Sequence, residues 1–283
     1  MGNVFPASTS FDLHLHTTAS DGRHPADVVI ARCLAAGLGA IALTDHDLPV
    51  RAETTRVEGD GRSMWVIAGA ELSGMYEGNE LHLLCYFPGV VPEGFRTFCR
   101  ERCVARAARY ESGREQLPGE VVAADDAAHR GDRSLTRTHL ARELVRTGQA
   151  RDVREAFARF LGDTHHRVPA IGVSFVEVIA VARAHGAYTA WAHPPVALLD
   201  RALPGFVAAG LQGLEGDRPL VAREDRRRLR RAAEKHDLWL TAGSDWHGWG
   251  DDADLGLYRV EAARIRRFVD AFGGAVALTL PVE

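Results

Sequence analysis

The sequence predicts an α/β protein built from parallel strands and crossover helices, and three observations carry that prediction. Apolar runs of strand length alternate with helical patterns in both halves of the chain. The alternation lapses once, between residues 93 and 169, and then resumes. Seven strand candidates carry, at or near their ends, a side chain able to bind metal. The 283 residues, 46% hydrophobic and 25% charged, suffice for one large domain or for one domain with an insertion.

The first strand candidate is the short apolar run that holds His14 and His16. Two residues apart on a strand, both imidazoles project from one face and converge on one point. Asp21 follows in a Ser-Asp-Gly turn, where the chain can fold back and offer a carboxylate to the same place. His24-Pro25 opens a helix through Val28, Val29, Ala31 and Leu34, which Gly37 ends. Residues 39–44 form a buried-strand pattern that delivers Asp45-His46-Asp47. Residues 65–70 then deliver Glu71, and residues 80–87 carry His82 within another β-type run.

From about residue 93 to 169 the strand signal disappears and helical patterns take over, with a polar break near residues 113–132. Residues 135–145 are amphipathic, and residues 153–160 read as a further helix. This stretch, 93–169, is expected to be a helical insertion in a barrel made of residues 1–92 and 170–283. Beyond it the pattern predicts a helix over 175–184 and a strand over 187–192 that ends in His193. A short strand over 211–214 ends in Glu215, and a last one over 238–243 runs into Asp245 and His247.

Composition excludes several classes. No apolar run approaches the roughly 20 residues that span a bilayer, and the first residues lack the charged start and apolar core of a signal peptide, so a cytoplasmic location is expected. The four cysteines show neither paired nor zinc-type spacing and are expected to be free thiols. A net charge of -4 argues against an extended nucleic-acid surface, while a small anionic substrate held by metals remains compatible with it.

In a parallel barrel the strand ends share one rim, the C-terminal face on which active sites of such folds are built. His14, His16, His46, Glu71, His82, His193, Glu215, Asp245 and His247 would then meet there. Six imidazoles and several carboxylates are too many for one ion, so two or three metals are implied. Imidazole with carboxylate suits manganese, iron or zinc.

Six motifs in order, His-x-His at 14–16, Thr-Asp-His-Asp at 44–47, Gly-Ala-Glu-Leu at 69–72, Leu-His-Leu-Leu at 81–84, Ala-His-Pro at 192–194 and Gly-Ser-Asp-Trp-His at 243–247, resemble the PHP (polymerase and histidinol phosphatase) family. The arrangement is most similar to the branch with a helical insertion that acts on nucleoside monophosphates, nucleoside 3′,5′-bisphosphates or oligonucleotide ends. The resemblance implies a distorted seven-stranded (β/α)7 barrel. It also implies one metal on His14, His16, Glu71 and Asp245, a second on Glu71, His82 and His193, and a third on Asp21, His46 and His247. Glu71, Asp245 and His193 would serve catalysis, and Arg137 and His139, an Arg-x-His on the insertion, would reach a substrate phosphate.

The resemblance therefore implies a metal-dependent phosphoesterase in which an activated hydroxide attacks the phosphomonoester of a small nucleotide. The segments Glu215-Gly216-Asp217-Arg218 and Pro194-Pro195-Val196 depart from that branch and bear on the leaving group rather than the metals. Histidinol phosphate is an alternative substrate. An amidohydrolase-like C–N hydrolase is another, but such binuclear sites use a strand lysine, and Lys235, the only lysine, sits at a helix end. A non-catalytic binding module would show eroded ligands, and none of the nine is missing. The arginine run between Arg223 and Arg231 reads as a solvated outer helix, His129, His165, His166, His185 and His236 as locally satisfied side chains, and Trp246 and Trp249 as wall residues or base platforms.

Overall fold

The protein is described by a computed structural model covering residues 3–162, 165, 167–250 and 254–280. Its elements run β1 (Ser10–Leu15), α1 (Ala26–Ala35), β2 (Ala40–Leu43), β3 (Thr55–Gly59), β4 (Arg62–Tyr76) and β5 (Asn79–Phe87). Four helices follow, α2 (Glu93–Arg114), α3 (Asp126–Arg130), α4 (Arg137–Arg146) and α5 (Val153–Ala156). The chain then returns to alternation through α6 (Phe175–Ala184), β6 (Tyr188–Trp191), α7 (Leu199–Ala208), β7 (Gly213–Asp217), α8 (Arg223–Lys235) and β8 (Trp239–Ala242). It ends in β9 (Val260–Glu261) and α9 (Arg266–Thr279).

One sheet holds these strands in the order β8-β7-β6-β5-β4-β2-β1-β9, with β3 paired to β4. The segment after β8 bridges back to β1, where Asp245 N donates to His14 O at 2.9 Å and His16 N to Trp246 O at 3.0 Å. Seven strands, β1, β2 and β4 to β8, thus form a nearly closed barrel.

The barrel is not parallel throughout. β5 runs antiparallel to both β4 and β6, and β3 forms a hairpin with β4 that the alternation reading does not contain. The cause is turn length. Two residues, Glu77 and Gly78, link β4 to β5, and Asp60 and Gly61 link β3 to β4, all four at positive φ. Such pairs make hairpins, whereas a parallel crossover needs a dozen residues or more. The reversal still keeps the metal-binding side chains on one rim. β4 overshoots, so Glu71 lies in its interior, and β5 meets the rim with its first half, setting His82 opposite Ser73.

Apolar packing surrounds this frame. Phe175, Trp191 and Phe206 seal the sheet under α6 and α7, and α9 sets Phe268 and Phe272 against Tyr86, Tyr188 and Trp239. Helices α2, α4 and α5 share a separate cluster centred on Tyr110, Leu140, Leu144 and Leu161. The four cysteines are buried free thiols.

A charged joint ties α2 to the barrel. Asp47, buried and in the left-handed region at φ +50, accepts from Arg102 Nε at 2.6 Å and from Arg106 Nε at 2.5 Å. Arg106 reaches on to Ser73 Oγ at 2.6 Å and Leu135 O at 3.3 Å, so one guanidinium joins β4, α2 and the approach to α4. Burial would raise the Asp47 pKa, but Arg102 and Arg106 pull it down to about 2.

Breaking a buried pair leaves an uncompensated charge, so Asp47→Ala should destabilise the protein by about 3–5 kcal/mol in denaturant titration. Because the folded pKa lies below the unfolded one, the Asp47 contribution is present in full above pH ~4. It should fade as pH falls toward about 2, and the Ala variant should lack that component of acid sensitivity.

Candidate metal centre

The floor of the rim is set by β1. His14 and His16 alternate onto one face and are fully buried. Closure against the segment after β8 depends on Gly243, where a Cβ would stand 2.3 Å from His14 Cβ. The following turn is pinned by Asp45, which accepts from Thr17 N (2.8 Å), Thr17 Oγ1 (2.9 Å), Ser20 N (3.0 Å) and Ser20 Oγ (2.6 Å). That anchoring folds the chain back and delivers Asp21. Gly22 completes the turn, because a Cβ there would meet the His16 carbonyl carbon at 2.6 Å.

Glu71 is the centre of the arrangement. Its Oε2 lies 3.3 Å from His14 Nε2, 3.3 Å from His16 Nε2 and 3.1 Å from His46 Nδ1. Its Oε1 lies 3.1 Å from His82 Nδ1 and 3.0 Å from His193 Nε2. Asp245 Oδ1 sits 3.4 Å from His14 Nε2 and 3.2 Å from His16 Nε2. Asp21 Oδ1 sits 3.2 Å from His247 Nε2 and 3.8 Å from His46 Nε2. All nine side chains proposed as ligands therefore meet in one cluster.

The cluster has a closed floor and an open mouth. His14, His16 and Glu71 are wholly buried, whereas the side chains of Asp245, His193, His247 and His82 are 28%, 24%, 21% and 20% exposed. His193 and Asp245 both take positive φ, 72° and 57°, a backbone cost that clusters at sites where a side chain must be aimed.

Burial would raise the pKa of Glu71 and Asp21. Neighbouring imidazoles hold both well below the usual carboxylate range: His14, His46 and His82 for Glu71, His247 and His46 for Asp21. Burial disfavours charge on His16 too, yet Asp245 and Glu71 lift its pKa to about 10. For His46 burial prevails and the pKa falls to about 3. Buried anions here draw whatever positive charge is within reach.

These donors fit metal. His14 Nε2, His16 Nε2, Asp21 Oδ1, His46 Nδ1 and Glu71 Oε2 are buried with no hydrogen-bond partner, all at one place. Ligand atoms fall within 4.8 Å of one another in three overlapping sets, His16-Asp21-His46-His247, His14-His16-Asp245 and His46-Glu71-His82. Orphaned buried polar atoms are costly, and a convergent group of nitrogen and carboxylate oxygen donors is what a divalent transition metal satisfies.

Residues around the donors fix their orientation. Glu215 Oε1 lies 2.9 Å from His14 Nδ1, both fully buried, which keeps the proton on Nδ1 and turns Nε2 toward Glu71. The strand-end position of Glu215 is visible in the sequence; its partnership with His14 is not. Glu80, two residues before His82 and so on its face, stands 3.7 Å from His82 Nε2 and 2.9 Å from Arg109 Nη2.

Arg137 and His139 stand at the N-terminus of α4, close to this cluster. The Arg137 guanidinium lies 3.4 Å from Glu80. The ring of His139 is engaged in the helix cap. Its Nδ1 accepts from Thr136 N at 3.0 Å in a capping box, the ring also faces the Ser20 backbone, and burial lowers its pKa to about 4. Thr136 Oγ1 donates to Asp21 Oδ2 at 2.9 Å, a link the sequence does not announce. On the outer side of Asp21 its carbonyl accepts from Arg142 Nη1 (2.7 Å) and Trp249 Nε1 (2.9 Å), beside a cavity of about 450 Å³ that Arg23, Tyr110 and His139 also line.

Two further described histidines face backbone carbonyls instead. His165 Nε2 faces Ala158 O, His185 Nδ1 faces Val181 O, and His166 is outside the described residues. Trp246 is buried and stacks on His24, while Trp249 is 38% exposed with Arg142 3.5 Å over its ring.

Comparison with known proteins places this geometry. A family model described as the PHP domain matches residues 12–117. The chain is 30% identical over 251 residues to a 5′-3′ exoribonuclease, Rnm, of Salmonella typhimurium, covering 84% of this chain and 85% of that one. It is 27% identical over 261 residues to a 3′,5′-nucleoside bisphosphate phosphatase of Chromobacterium violaceum, covering 86% and 88%. A crystal structure from Bifidobacterium adolescentis, assigned as a metal-dependent phosphoesterase, superposes with a TM-score of 0.74 at 26% identity over 93% of this chain and 96% of that one.

Glu71→Gln removes the charge that five imidazoles share and should lower the metal content per chain, measured by plasma emission after gel filtration, below that of the wild type. Glu215→Gln, which keeps shape but weakens the hold on His14, should reduce metal affinity by about 10- to 100-fold while the fold persists by circular dichroism.

Proposed function

Because the chain belongs to the PHP family of metal-dependent phosphoesterases, we propose that it hydrolyses the terminal phosphoester of nucleotides, with nucleoside monophosphates and 3′,5′-bisphosphates as the small substrates. The observation that carries this reading is the mouth. Only Asp245, His193, His247 and His82 of the nine donors have side chains at least a fifth exposed, so the reacting group must be small and enter over these four. A phosphoryl group suits that opening. When bound, two or three divalent ions of the manganese, iron or zinc type would polarise it and lower the pKa of water toward neutrality.

We assign His14, His16, Glu71 and Asp245 to one ion, Glu71, His82 and His193 to a second, and Asp21, His46 and His247 to a third. The protein's own part is to hold these donors with their lone pairs aimed inward, to keep the floor dry and to orient the substrate. Residues 93–169 act as an insertion over the barrel of residues 1–92 and 170–283, and their arginines supply the cationic side of the mouth. Arg137 is the phosphate contact in this reading. His139, neutral at pH 7 and held in the α4 cap, contributes by fixing Arg137 and the Thr136 link to Asp21.

A second reading, release of nucleotides from the 5′ end of RNA, is favoured by the 30% identity to the Salmonella exoribonuclease, slightly above that to the bisphosphate phosphatase. Both readings use the same floor. They differ in what lies beyond the mouth.

A phosphate-release screen tests the reading: nucleoside mono- and bisphosphates should turn over faster than histidinol phosphate, and strong chelator should abolish turnover that manganese or a similar ion restores. Full activity in chelator would overturn it. Asp245→Asn should lower kcat by several orders of magnitude.

Arg137→Ala should reduce kcat/KM by about 10- to 1,000-fold with bound metal unchanged. Thr136→Val, which cuts the link to Asp21, should instead weaken metal binding.

A further inference from the structure

The net charge of -4 conceals a local excess. Helix α8 holds seven cations against three carboxylates, a net +4 in thirteen residues. Its buried side is only Leu229 and Ala233, and Arg223, Arg227, Arg228, Arg230, Arg231 and Lys235 are exposed. Local pairing does not cancel them. Glu224 is shared between Arg227 and Arg231 at 3.7 and 3.3 Å, and Arg228 donates to the Val196 carbonyl. Among the described residues, Arg223, Arg230 and Lys235 face no carboxylate within 4.0 Å. On the α7 side, Arg228, Arg231 and Lys235 border a groove of about 210 Å³ with Asp200 as its one carboxylate.

This helix begins at the rim. β7 carries Glu215, which holds His14, and two residues on Asp217 binds Arg226 Nε at 2.7 Å, so the first turn of α8 is tied to the strand end that supports the metal cluster. Between them Leu220 stands fully exposed at φ +64, an apolar side chain held outward in a loop whose backbone also accepts from Arg226 at Arg218 O. From there α8 runs about 20 Å along the outside of the barrel.

We propose that the 218–222 loop and the exposed face of α8 carry the body of a single-stranded RNA whose 5′-terminal nucleotide occupies the metal centre. The inference rests on the nucleotide reading of that centre in its RNA-end form. Its physical content is that a polyanion with one end at the mouth must lay its remaining phosphates on an otherwise acidic protein. The arginine face that starts at the rim offers guanidinium forks matched to phosphate oxygens. Leu220 gives a base an apolar surface on the way.

The test uses the full chain and the fourfold variant Arg223→Ala, Arg227→Ala, Arg230→Ala and Arg231→Ala, all surface positions. Binding of a 5′-phosphorylated, 3′-labelled phosphorothioate RNA is read by fluorescence anisotropy across salt. Turnover of a nucleoside 3′,5′-bisphosphate is read in parallel. The variant should bind RNA about 10- to 100-fold more weakly, and its slope of log Kd against log salt should be shallower by about 2–3, with bisphosphate kcat/KM unchanged. The four corresponding lysine substitutions should restore most of the RNA affinity. Unchanged RNA affinity and salt slope would overturn the surface, as would an equal fall for RNA and bisphosphate. If the wild type turned over no nucleotide while the variant still lost RNA affinity, the reading of the metal centre would fail and the RNA surface would stand.

Discussion

Everything at the rim answers to one buried charge. Glu71 is wholly inaccessible, and both of its oxygens face imidazoles, three on one side and two on the other. A carboxylate stripped of water costs several kcal/mol unless positive charge replaces the solvent, and hydrogen bonds from neutral rings do not supply it. The position admits no escape, since the Glu71 N–H donates to Asp45 O and its carbonyl accepts from Asp47 N, fixing the residue between the two acidic flanks of His46. Divalent ions bound here would neutralise Glu71, Asp21 and Asp245 and so couple metal binding to completion of the fold.

The surrounding scaffold reads as the means of keeping that charge in place. Gly243 and Gly22 leave room for the close approach of β1 to its neighbours. Asp45 and Glu215 bind backbone or imidazole N–H groups rather than joining the open cluster. Backbone strain at Asp47, His193 and Asp245 falls within the same region. Each device is modest alone. Together they hold the donors from β1, β4, β5 and the segments after β1, β2, β6 and β8 close to one another without help from the solvent.

The convergence of the candidate donors is legible, because such residues at strand ends leave a local signature: period two for His14 and His16, and an apolar run before Glu71, His193 and Asp245. The alternation also showed that a barrel was interrupted by helices, and the helix over 175–184 was readable to the residue. Strand direction departs from the parallel expectation at β3 and β5, where Asp60-Gly61 and Glu77-Gly78 are hairpin dipeptides that contradict a crossover. Other features had no local trace. Nothing near Asp47 announces that its partners are Arg102 and Arg106, and nothing near Asp21 announces Thr136, because these pairs span 55 to 115 residues and arise only from the docking of α2 and α4. At the third position of α4 the His139 ring caps its own helix, and burial lowers its pKa to about 4.

The donor cluster and the wall beside its mouth are thus built from different parts of the chain under different constraints. The barrel supplies buried donors, where a substitution must pay for an exposed lone pair or an uncompensated carboxylate. The 93–169 segment, pinned by Asp47 below and Asp21 beside it, supplies Arg137 and the walls around it, where side chains are partly solvated and pairing is adjustable. The two are not independent, because Thr136 at the start of α4 donates to Asp21 among the donors, so a change on that wall is transmitted to the floor through this link.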